Sequence, residues 1–283
     1  MSGSILSGLW VPGLPHVLYP ERSQSWAKMY HAYEALGRQI AELKPDVLVI
    51  YSTQWISVLG TSFQVQAHPA GVHVDENWYE FGDLPFDFKV DGQLGTKFAE
   101  EVVRAGIPTK TVNYDHFPID TGTIVALKFL NPTREIPVSI VSSWVYADPL
   151  RSATIGKAMR ETILGSGKRV VCVASSLLSA RFFTHEINPD EDKISNSGDE
   201  AWNKKILNLL ESGKLEAISD LAPKFNKEVP TDMQFNAFHW LSGMLIGDKL
   251  SGEVLAYGPL WGTGAAIAQL KAKKGENGKN RSH

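Results

Sequence analysis

KPDVLVIYSTQWISVLG, residues 44–60, is the stretch whose reading decides the fold. Lys44-Pro45-Asp46 hands over to four consecutive apolar residues, Val47 to Ile50, and the apolar run stops at Tyr51-Ser52-Thr53-Gln54-Trp55. A run that is apolar on every residue suits a strand covered on both faces, so the pattern predicts a buried parallel strand opening at its C-terminal end into a polar loop. In open α/β sheets ligands bind in the crevice beyond the carboxyl ends of the strands, which puts Gln54 where a site is expected. The same grammar occurs once earlier, where Ile5 to Val11 runs into Pro12-Gly13-Leu14-Pro15-His16. Two prolines in four residues exclude a helix there and impose an extended, turning loop. Between the two strands Ser25 can cap a helix with Trp26, Met29, Tyr30, Tyr33, Leu36, Ile40 and Leu43 at helical spacing. A strand-helix-strand unit crosses over right-handed, so loops 12–16 and 52–56 are expected at one edge of one sheet.

Working outward, strands are predicted at Phe63 to Gln66, Phe86 to Val90, Thr109 to Val112, Ile136 to Val141, Arg169 to Ser175 and Val254 to Tyr257. Asp91 can cap a helix with Leu94, Phe98, Val102 and Val103 on one face, closed by Gly106 and Pro108. Asp120-Thr121-Gly122-Thr123 opens another that Asn131-Pro132 ends, and Asp148-Pro149 is a cap followed by a first-turn proline for a helix to Gly165. From Asp199 the chain reads as helical, a further helix holds Phe235, Phe238, Trp240 and Leu241, and a turn at Gly262-Thr263-Gly264 is expected to lead into a last short helix. His68 and His73 fall in an aromatic loop and read as solvated or packed.

Composition narrows the classes. The chain has 283 residues, 43% hydrophobic and 21% charged, which fits one α/β domain with a sizeable core. A net charge of -3 and a pI near 6.2 supply no field for a phosphate backbone, so nucleic acid is not an expected partner. The lone cysteine, Cys172, lies in the apolar run Val170 to Ala174, where it reads as a buried hydrophobe and allows no internal disulfide. Residues 1–21 contain no Lys or Arg and no apolar run reaches the roughly 18 residues of a membrane span, so a cytoplasmic protein without membrane contact is expected. The domain is expected over residues 1–270, followed at 271–283 by a solvated basic tail whose Arg281-Ser282-His283 resembles a tag remnant.

The loops Pro12-Gly13-Leu14-Pro15-His16 and Ser52-Thr53-Gln54-Trp55 resemble those of the type III extradiol ring-cleaving dioxygenases. That family carries a Pro-His-x-Pro-His-like loop after strand one and a Ser-Pro-His-Trp-like loop after strand two; the first His of the former, the His of the latter and a later Glu hold Fe(II). The resemblance implies a three-layer α/β sandwich, its central sheet mixed and largely parallel and flanked by helices. It also implies that the ligand positions here read Gly13, Gln54 and, counted back from Ala237-Phe238-His239-Trp240, Asp232, with Thr231 and Met233 as neighbouring registers. The acid/base histidine falls on Ala180 in Ser176-Leu177-Leu178-Ser179-Ala180, and a pocket-lining histidine on Thr121. His16, Trp55, His116 and Asp120 are expected around the remaining pocket.

Extradiol cleavage needs Fe(II) on two imidazoles and one carboxylate, with open positions for O2 and the ring's two adjacent heteroatoms, and a group that removes and returns a proton. Glycine has no donor atom, a neutral amide is a poor Fe(II) ligand, and alanine moves no proton. Within the family the pattern is most similar to the iron-free subunits of the branch that opens 2-aminophenol to 2-aminomuconate 6-semialdehyde in aromatic-compound catabolism. The resemblance therefore implies a chain inactive by itself, without a metal or cofactor of its own, joined to a homologous subunit that bears the iron. A stand-alone enzyme using His16, His116, His239 or Asp120 as unusual ligands, and a non-enzymatic scaffold on the same fold, are the two other readings. If the frames converge, Gly13→His, Gln54→His and Asp232→Glu together should place two imidazoles and a carboxylate within reach of one metal.

Overall fold

The computed structural model describes residues 2–273. In chain order the elements are β1 (Ser4–Val11), α1 (Gln24–Leu43), β2 (Val47–Ser57), β3 (Thr61–Gln64), β4 (Ala70–His73), β5 (Leu84–Asp87), α2 (Gly92–Arg104), β6 (Thr109–Val112), α3 (Thr121–Leu130), β7 (Val138–Trp144), α4 (Pro149–Ser166), β8 (Arg169–Ser175), α5 (Ser197–Glu211), α6 (Leu215–Glu228), α7 (Asn236–Met244), β9 (Leu250–Leu260) and β10 (Thr263–Ala272). Eight strands form one sheet in the order β6-β3-β7-β2-β8-β1-β10-β9, and β4 and β5 form a separate antiparallel ribbon.

Side-chain alternation along the central strands explains the layers. Val47, Val49 and Tyr51 of β2 point into one core with α2, α4, α5, α6 and α7, while Leu48 and Ile50 point into another with α1 and α3. Every one of these five is at most 1% exposed, as an apolar run covered on both faces requires. The sheet is thus the middle of three layers. Its centre, β7-β2-β8-β1, is parallel throughout, and β10 and β9 add antiparallel strands beyond β1. The expected mixed, largely parallel sheet flanked by helices is the fold observed.

Two local expectations change. The last short helix is instead β10, which pairs with β9 over its whole length and with β1 at Gly8↔Leu270, Leu9↔Gln269 and Trp10↔Ala268. Its alanines favour a helix locally, but the open edges of two strands offer ladder partners that a helix would forgo. β10 also runs to Ala272, past the expected domain boundary at 270, because Lys271 and Ala272 pair with Ser251 and Leu250. The rest of the expected tail, from 274, lies outside the described residues. Among the described residues no helix is long and apolar enough to cross a membrane, and Cys172 is buried and free.

Candidate functional site

The site starts at a break in β2. The strand pairs in register with β8 as far as Ser52↔Ser175 and with β7 as far as Ser52↔Ser142, then resumes only at Ile56↔Ser143. Thr53, Gln54 and Trp55 form the bulge, so the polar segment read as a loop after the strand is an interruption within it. Bulges re-aim side chains, and this one turns three residues out of the ladder at the carboxyl end of the sheet.

The loop after β1 meets this bulge. A Cβ built on Gly13 would lie 3.3 Å from Gln54 Nε2, so the two positions are adjacent. The same Cβ would lie 2.7 Å from Gly122 Cα and 2.7 Å from Ser175 Oγ, closer than real Cβ contacts. Gly13 is therefore required by the close approach of the α3 N-terminus. This corrects the expectation that a histidine could simply be put back at 13: its Cβ has no room unless α3 or β8 moves.

Asp232 arrives from the opposite side, on the turn before α7. Its Oδ2 accepts three hydrogen bonds, from Thr53 Oγ1 at 2.7 Å, Ser176 Oγ at 3.0 Å and Leu177 N at 3.0 Å. The carboxylate thereby ties the β2 bulge to the end of β8. Although part of the residue reaches the surface, dense packing around the carboxyl raises its pKa, outweighing the hydrogen bonds from Thr53, Leu177 and Ser176 that lower it. The turn carrying it is left-handed over three successive non-glycine residues, Met233 at φ 44°, Gln234 at φ 55° and Phe235 at φ 63°. Such conformations cost of order 1–2 kcal/mol per residue and persist where surrounding contacts over-determine them. Here Phe235 stacks on Phe238 at 4.8 Å, and Gln234 O accepts from Asn226 Nδ2 at 2.9 Å.

Ala180 lies beside this turn, its N–H donating to Pro230 O at 2.7 Å, and Ser179 bridges to Thr231. Thr121, the pocket-lining position, begins α3. Its hydroxyl donates to Asp75 and accepts from His73 Nε2 at 3.0 Å, which places the ring proton on Nε2. His73, which reads from sequence as a solvated or packed loop histidine, is the packed one here, and nothing in the sequence singles out Asp75. They come from and just beyond β4, 48 and 46 residues away, and no local pattern announces such a contact. The strand-end hydroxyls Ser52-Thr53 and Ser175-Ser176 were a usable signal, since buried hydroxyls at a sheet edge must find partners.

Of the other expected pocket residues, Trp55 belongs to the bulge and Asp120 bonds to Ser52 at its start. Asp120 spends its carboxylate on Ser52 Oγ, Thr123 N and Thr123 Oγ1, capping α3. His116 sits on an exposed turn at φ 61°, and Trp55 packs its ring edge against Phe117 at 5.8 Å. Trp55 and Phe117 bound a void of only about 10 Å³. His16 is enclosed by the rings of Trp26, Trp78, Phe81 and Trp261 at 4.4 to 5.8 Å. It is fully buried, neither ring nitrogen has a hydrogen-bond partner among the described residues, and burial, helped by Arg22, lowers its pKa to about 3. His239 is likewise buried in α7, its pKa lowered by burial to about 4.

Fe(II) of the resembled family needs two imidazoles and a carboxylate on one face. The residues brought together here are Gly13, Gln54 and a carboxylate already taken up by three protein donors, and they do not fit that ion. Among the described residues no three His, Cys, Asp or Glu side chains are grouped to hold a metal.

A sequence model of the family described as "Catalytic LigB subunit of aromatic ring-opening dioxygenase" matches residues 11–268. The chain is 38% identical over 270 residues to the 2-aminophenol 1,6-dioxygenase alpha subunit of Pseudomonas sp, covering 94% of this chain and 99% of that one. It is 31% identical to the beta subunit from Pseudomonas sp, covering 96% of each. Among solved structures, the uncharacterized protein JW3007 from Escherichia coli K12 superposes with a TM-score of 0.66 at 12% identity, over 94% of this chain and 100% of that one, a likeness of fold.

Proposed function

The chain belongs to the family of the catalytic LigB subunit of aromatic ring-opening dioxygenases, and on that premise we propose that it is the iron-free subunit of a two-subunit enzyme that opens the ring of 2-aminophenol. The observation that carries this reading is the pair Gly13 and Gln54, adjacent at the sheet edge. They offer a hydrogen atom and an amide where the family's chemistry calls for two imidazoles. The similarity to both the alpha and the beta subunit of one such enzyme supports a partner of the same fold, and the greater identity to the alpha subunit favours that role. Fe(II) and the proton-transfer group then belong to the partner, and no step of ring opening is assigned to this chain.

Its part is to shape or stabilise the iron-bearing subunit. The exposed apolar side chains Ile56, Val58, Leu59, Tyr146 and Leu150 supply surface for such a contact, Leu59 and Leu150 being 79% and 75% exposed. The test is iron content and 2-aminophenol turnover of the purified chain, alone and co-expressed with an iron-bearing homologue. No stoichiometric iron and no turnover alone, with co-purification and activity in the pair, are expected. One iron per isolated chain together with ring opening would overturn the reading.

A further inference from the structure

The helix layer of α1 and α3 holds a cavity of about 720 Å³, apart from the bulge, turn and carboxylate described above. Its walls are the stretch of α1 from Tyr30 to Ala41, the second half of α3 with the turn after it, and residues 85–88 of the β4-β5 ribbon. At Gly37 the two helices touch, for a Cβ there would lie 2.2 Å from Phe129 O. The apolar lining mixes aliphatic and aromatic side chains, with Tyr30 set edge-on to Phe129 at 5.2 Å and Phe86 contributed by the ribbon.

The charges in the cavity are unbalanced in a specific way. Arg134 is paired with Asp87 at 3.5 Å, and Asp87 also takes His68. Glu34 lies against His31, at 3.4 Å, and Tyr30. Arg38 and Lys128 remain, and neither has an ion-pair partner among the described residues. Partial burial lowers the pKa of the Lys128 ammonium, as befits a cation without a counter-charge.

We propose that this cavity is a second ligand site, taking a fused-ring or substituted aromatic carboxylate whose ring lies among Tyr30, Phe86 and Phe129 and whose carboxylate lies between Arg38 and Lys128. The volume falls within the roughly 300–1,000 Å³ of small-molecule sites, and of the five charged side chains among its walls Arg38 and Lys128 are the two left to orient an anion. The planar guanidinium of Arg38 matches a carboxylate with two parallel hydrogen bonds, and Lys128 adds a point charge. The site is placed for an effector rather than a substrate. The ribbon forming one wall also carries His73, and α3 forming another begins at Thr121, so both walls run to the sheet-edge cluster.

The test is calorimetric titration of the full chain with 1-naphthoate and with the neutral 1-naphthalenemethanol, in the parent and in Lys128→Met and Arg38→Gln. Both side chains are exposed, so unchanged melting of the two variants is the check that they fold. Saturable one-to-one binding of the naphthoate is expected, at least tenfold weaker for the alcohol and about tenfold weaker in each variant. Absence of saturation at millimolar concentration, equal affinity for the alcohol, or unchanged affinity in both variants would overturn the proposal. None of these outcomes depends on iron or on a partner subunit, so the result stands apart from the ring-opening assay.

Discussion

Two residues carry consequences out of proportion to their size. Asp232 gathers Thr53, Ser176 and the Leu177 N–H on one oxygen, and truncating it strands the Leu177 N–H while the two hydroxyls fall back on Ser175 O and Leu177 O. Leaving a buried polar group unsatisfied costs about 1–3 kcal/mol, so Asp232→Ala should lose about that much, read as a lower urea midpoint. An unchanged midpoint would mean that water replaces the carboxylate at no cost. His16 makes the opposite bargain, buried and neutral with a pKa lowered to about 3. The unfolded chain binds this proton below about 6.5, whereas the folded chain refuses it until about 3. Stability is therefore full above pH 6.5 and falls with acid across that window, at up to about 1.4 kcal/mol per pH unit. His239 adds a similar loss down to about 4. His16→Phe, which keeps a flat ring in the aromatic box, should flatten the dependence measured by denaturant titration between pH 6.5 and 4.5; an equally steep profile would refute the assignment.

At the scale of elements, the α3 N-terminus, the β2 bulge and the turn before α7 act on one another. With Gly122 Cα 2.7 Å from a Cβ at 13, Gly13→His should destabilise by roughly 1–3 kcal/mol, and the variant should bind no more iron than the parent even when combined with Gln54→His and Asp232→Glu. Melting temperature and metal content check both halves. The left-handed turn offers the reverse experiment. Gln234 is exposed at φ 55°, and glycine occupies that region without a Cβ penalty, so Gln234→Gly should raise stability by up to about 1 kcal/mol in thermal melts. What was legible in the sequence follows the same division. Val47–Ile50 and Val170–Ala174 announce buried strands because each residue is apolar and each face is covered. β10 does not, since only the ladders of β1 and β9 make its alanines extended. Asp232 could be located only by resemblance, because its donor Thr53 lies 179 residues away.

For the molecule as a whole, the sheet joins its distant parts late in the chain. β1, the first strand, lies between β8 and β10, and Ser7 donates to Leu270 O across 263 residues. A growing chain therefore holds one edge of β1 uncovered until residues 263–272 have been made. Contacts of such separation slow folding, and an unpaired apolar edge invites pairing with another chain. Residues 263–272 thus act as the latch of biosynthesis, closing over β1 the edge that every earlier stage of synthesis leaves open.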